Sequence, residues 1–153
     1  MRWTDVEAAI AELLSLVDGD EHGSPREREA RLARCLDVLA LEAGGQDGAV
    51  ELDPDAPEPP SSGGDGAPRE RIAARFPRLG LYAAPSLDPG ELTVGDAIDD
   101  VLDIASELRA VAWLGGRGYT DAARRQFAWS YRMHWGEHLR GLQWVLHALA
   151  DRR

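Results

Sequence analysis

Apolar residues recur at alternating steps of three and four along four separate stretches, and this repeat, more than anything else, limits what the chain can fold into. Val6, Ile10, Leu13 and Val17 form the first series, and Leu32, Cys35, Leu36 and Leu39 the second. Val94, Ile98, Val101, Ala105, Leu108 and Ala112 form the third. Phe127, Tyr131, His134, His138, Leu142, Val145 and Leu149 form the fourth. Such spacing puts one apolar stripe on each helix. Helix-start patterns precede the runs: Thr4 with Glu7, Ser24-Pro25 with Glu27, Thr93 with Asp96, and Thr120 or Asp121. Gly19, Gly44-Gly45 and Gly115-Gly116 close the first three. A shorter helix, "RERIAARF", stops at Pro77. The stretch "PRLGLYAAPSLDPGEL" is expected to cross irregularly, anchored by Leu79, Leu81, Tyr82 and Leu87. No strand pattern exceeds a few residues. The expected fold is therefore all-α: an antiparallel helical bundle of four long helices plus a short one.

Residues 46–67 break the repeat. They are rich in Gly, Pro, Asp and Ser and too poor in apolar side chains to offset their ordering entropy. They are expected to form a flexible acidic linker between an N-terminal hairpin (1–45) and a helical domain (68–153). The acidity is concentrated in the first part: residues 1–68 hold 16 acids against 5 bases, and residues 69–153 hold 11 against 12.

The net charge of −10 repels phosphate backbones and anionic membrane surfaces, so neither nucleic acid nor a membrane is an expected partner. All 17 bases are arginine, which excludes Schiff-base, Walker and kinase-type lysine chemistry. The single cysteine, Cys35, lies on an apolar helix face and is expected to be core filler. No internal disulfide can form, and the first residues lack the basic start and unbroken apolar run of a signal peptide. No run reaches the ~18 apolar residues of a membrane span. A cytoplasmic location is expected.

The stretch "HWGEH", His134 to His138, has the H-x-x-E-H spacing of a class of zinc peptidases. Those enzymes take their third ligand from a glutamate far downstream. Here Asp151 is the only acid after His138, so the peptidase arrangement is not expected. A straight helix puts both histidines on the core line, where each ring nitrogen needs a partner. A metal such as zinc or manganese could be completed by carboxylates from the preceding long helix, which offers Asp99, Asp100 and Asp103 beside Asp96 and Glu107. On a helical wheel, however, Asp96, Asp100, Asp103 and Glu107 fall opposite the apolar stripe, as a solvated face would, and only Asp99 lies at its flank. Trp129, Met133 and Trp144 form a second large-residue face on the last helix, with Trp135 and Leu139 on the other flank of the histidine stripe. The N-terminal hairpin is expected to cover that second face through Val6, Ile10, Leu13, Leu32, Leu36 and Leu39.

The run "VGDAIDDVLDIASELR", a glycine turn and "FAWSYRMHWGEHLRGLQWVLHAL", with "RFPRLGLY" and "LDP" upstream, resembles a bacterial family called domain of unknown function 5063. The resemblance covers about residues 69–150. Asp100, Asp103, His134, Trp135, Gly136 and His138 match its pattern. It implies a small helical protein and carries no activity. It does keep acids on one helix and histidines on the next. The expected function is a protein-interaction module, without catalysis or cofactor, binding another protein or its own copy through Trp129, Met133 and Trp144. The alternative is a metal-binding helical protein, possibly a hydrolase, using His134 and His138 with a carboxylate.

Overall fold

A computed structural model of the chain describes residues 2–19, 22–45, 51–60, 69–84 and 86–152. The described residues form an all-α bundle with one small β-ribbon. Its elements are α1 (Trp3–Asp18), α2 (Pro25–Gly44), α3 (Arg69–Arg75), β1 (Leu81–Ala84), β2 (Thr93–Asp96), α4 (Ala97–Gly115), α5 (Thr120–Ser130), a π-helical turn (Tyr131–Trp135) and α6 (Gly136–Asp151).

Of the four expected helix starts one holds and three are corrected; at α5 neither Thr120 nor Asp121 is the cap, because the helix already begins at Thr120, and Tyr119 before it makes no side-chain cap bond. Ser24 and Glu27 form the capping box of α2: Ser24 N donates to Glu27 Oε2 at 2.6 Å, and Glu27 N to Ser24 Oγ at 3.3 Å. α1 begins earlier than Thr4. Asp5 accepts from Arg2 N at 3.1 Å, and Glu7 instead accepts from Trp3 Nε1 at 2.9 Å. α4 begins later than Thr93, because Asp96 is itself the cap, its Oδ1 accepting from Ile98 N at 3.0 Å. Burial raises the Asp96 carboxyl pKa, but bonds from Arg69 and the Ile98 amide outweigh it and hold the group below its usual range.

Thr93–Asp96 is the second strand of an antiparallel ribbon in which Tyr82 faces Gly95 and Ala84 faces Thr93. Four-residue strands are too short to leave a sequence period. Leu79 is buried and Tyr82 half-buried as expected, but Leu81 and Leu87 are exposed and anchor nothing.

The hairpin α1–α2 and the later helices share one core. Val6, Ile10, Leu13, Leu32, Leu36 and Leu39 are all buried, together with Val101, Ile104, Leu108, Phe127, Leu139 and Leu142. Polar ties reinforce this packing. Arg75 donates to the carbonyls of Val17 and Gly19 at the end of α1. Arg78 pairs with the buried carboxylate of Glu29 on α2. Arg109 forks onto Asp18 at 2.8 and 2.9 Å, and Gln143 reaches Asp37 at 2.8 Å.

The hairpin does not cover the second face of the last helix. Met133 is 67% and Trp144 58% exposed, and Trp129 is half-buried. Of the expected linker, residues 46–50 and 61–67 lie outside the described residues. Residues 51–60 run beside α4 and α5, bordering a groove with Trp129, Gln126 and Ser106, and Ala56 packs against the core. Among the described residues, no helix is long and apolar enough to cross a membrane.

The fourth helical stretch is interrupted by its π turn. An i→i+5 turn takes one extra residue, so everything after it is rotated by roughly 100°, one residue's share of a 3.6-residue turn. Gly136 N–H closes this turn onto Tyr131 O. Glycine suits the position, because a Cβ there would stand 2.5 Å from that same oxygen. The rotation carries Trp135 from the flank into the core, where it is fully buried, meets Phe127 at 5.2 Å and Tyr131 at 4.9 Å edge-on, and donates to Ser130 Oγ at 2.8 Å. It also carries the histidines off the core line.

Candidate metal centre

The expectation that His134 and His138 lie in the core is corrected by this rotation. His134 is exposed and His138 only half-buried. They face α4, and they face the side of α4 that the wheel assigned to solvent. Asp100, Asp103 and Glu107 follow each other at steps of three and four, so they form one row along α4. The histidines sit one turn apart on the facing segment. The chains run in opposite directions, so the early acid of the row meets the later histidine.

Each histidine is held by its own carboxylate. His138 Nδ1 lies 2.8 Å from Asp100 Oδ1, and His134 Nδ1 lies 3.0 Å from Glu107 Oε1. A carboxylate accepts only, so in each neutral ring Nδ1 carries the hydrogen and Nε2 presents the lone pair. Asp103 lies between them, its Oδ2 3.6 Å from His138 Nε2. The rings stand edge-on with centroids 4.9 Å apart. One ligand atom from each of Asp103, His134 and His138 falls within 4.8 Å of the others. Tetrahedral zinc holds nitrogen and oxygen ligands about 3.4 Å apart, so closure onto an ion asks each side chain to move by about 1 Å.

Asp100 is the most enclosed member, at 5% exposure. Its second oxygen accepts from Tyr82 O–H at 2.7 Å. Burial, this bond and the charge of Asp100 together push the Tyr82 phenol well above its usual range, so Tyr82 stays a donor. The Tyr82 ring lies between two glycines: a Cβ at Gly95 would stand 2.3 Å from it, and one at Gly141 would stand 2.1 Å from its oxygen. Tyr82 thus positions Asp100, which positions His138.

Of the carboxylates expected for a metal, Asp100 and Asp103 are brought to the histidines and Asp99 is not. Asp99, exposed, pairs with Arg69, which also holds Asp96 at 2.6 Å. Glu107 joins the site. Its spacing, four after Asp103 and seven after Asp100, was a usable signal. Tyr82 left none, because a long-range contact from a four-residue strand has no period. Glu137 is exposed and borders a cleft of about 680 Å³ that adjoins His138 and Asp100. Cys35 is buried as expected, and burial first, with Glu12 nearby, pushes its thiol up to about 11. Comparison of the chain with protein-family models, curated proteins and solved structures gives no match.

Proposed function

We propose that this is a divalent-metal-binding helical protein, with His134, His138 and Asp103 as the ligands and Asp100 and Glu107 orienting the two imidazoles. One observation carries the reading: both histidines have Nδ1 engaged by a carboxylate while ligand atoms of both approach the same third carboxylate. Metal-bound histidines almost always hand their other ring N–H to such a partner, which fixes the tautomer and raises ligand basicity. Two imidazoles and one carboxylate suit zinc, manganese or iron. The half-open setting leaves coordination positions for water or another ligand. The likeness to the domain of unknown function 5063 is part of the proposal, since its pattern includes Asp100, Asp103, His134 and His138.

Zinc titration of the chelator-treated full chain, followed by calorimetry, tests this. The expected result is one ion per chain. At a free-zinc level 100 times Kd, the fold should gain about 2.7 kcal/mol, read as a rise in Tm. His138→Ala should weaken binding at least ~100-fold, beyond the usual effect of an orienting residue. Acidification should weaken binding as the ligands protonate. If zinc and manganese release no heat and leave Tm unchanged, the proposal falls.

A second reading, association with another protein or with its own copy, rests on the exposure of Met133 and Trp144. Large apolar side chains left in water gain free energy when a partner covers them. Sedimentation equilibrium should then show mass rising with concentration for the native chain and not for Trp144→Glu. A monomer at every concentration removes the self-association form of this reading.

A further inference from the structure

We propose that the cleft between the β-ribbon and α6 holds the apolar body of a small molecule whose oxygen-donor head group binds at the His134–His138–Asp103 metal. This rests on the metal reading above. The cleft adjoins the site at His138, which with its partner Asp100 lines the cleft wall. At about 680 Å³ the cleft falls inside the ~300–1,000 Å³ range of small-molecule pockets.

Its chemistry is divided. The charged groups Asp100, Glu137, His138 and Arg140 come from α4 and α6, and the ribbon side adds only the hydroxyls of Ser86 and Thr93 and the edge of Tyr82. The ribbon side is built by strand alternation. Cross-strand partners share a face, so Tyr82 with Gly95 and Ala84 with Thr93 point one way, and Ala83 with Val94 points the other. The first face lines the cleft, with Ala84 and Leu87 as apolar wall; Val94 also borders it, and Ala83 does not. Gly95 and Gly141 add no side chain, so the floor is the Tyr82 ring itself. An alkyl or aryl group beside a metal-binding oxygen fits both ends.

Two probes with one head group test this: acetohydroxamate and octanohydroxamate, titrated into the cobalt-loaded full chain and followed by the cobalt absorption bands. The longer probe should bind at least ~10-fold tighter, since its added methylenes leave water. Thr93→Trp, on the cleft face, should abolish that preference, and Ala83→Trp, on the opposite face, should keep it. Equal affinities of the two probes for the native chain would overturn the cleft while leaving the metal reading intact. A preference that survives Thr93→Trp would place the chain elsewhere and overturn it too. Failure to take up cobalt would remove both readings. The native-chain comparison needs no variant to fold.

Discussion

Trp135→Ala should destabilise the protein by about 3–5 kcal/mol, the range for emptying a fully packed tryptophan site. Trp135 is fully buried between Phe127 and Tyr131, and Ser130 Oγ accepts from its indole nitrogen. Trp135→Phe should cost less, keeping most of the ring volume and losing the bond to Ser130. Trp144→Ala, at a position 58% exposed, should stay within about 0.5 kcal/mol. Urea denaturation of the three variants checks the ordering. The comparison is a direct test of the π turn. A straight helix puts Trp135 at the flank and the histidines in the core, and would make Trp135→Ala mild. A cost under about 1 kcal/mol would therefore contradict the helical phase that the π turn sets.

Asp100→Asn should lower zinc affinity by about 10–100-fold, the usual effect of removing a carboxylate that orients a ligating histidine. The side chain keeps its size, so the fold should survive. What is lost is the charge that raises the basicity of His138 through Nδ1 at 2.8 Å. Glu107→Gln should act in the same direction through His134, and less strongly, because Glu107 is more exposed than Asp100. Asp99→Asn should leave zinc affinity unchanged, since Asp99 is occupied with Arg69. Calorimetric titration of the three variants separates a specific orienting role from a general loss of negative charge. Equal effects of Asp99→Asn and Asp100→Asn would mean that only the acidic surface attracts the ion.

These two results would also divide what is local from what is not. The four long helices, the short helix at Arg69–Arg75, the Ser24–Glu27 cap and the buried stripes through Val6, Leu36 and Leu108 were legible in the sequence. Capping and 3.6-residue periodicity act over a few residues, and one stretch of chain carries the whole signal. Asp100, Asp103, His134 and His138 were legible as metal-type side chains on two helices. Their meeting was not. A wheel drawn for an unbroken helix turned His134 and His138 inward, because it could not contain the extra residue of the Tyr131–Trp135 turn, and it turned the α4 acids to solvent, because one helix's wheel does not show that a second helix packs on that face. That turn changes the phase of every later residue without changing its identity. Tyr82 and the separation of Asp99 by Arg69 depend on contacts across 18 and 30 positions, and no local pattern encodes those. The sequence by itself determined the helices and the chemical types available to a site. Tertiary packing decided which face of each helix meets the other, because helix phase and long-range pairing are properties of the assembled bundle.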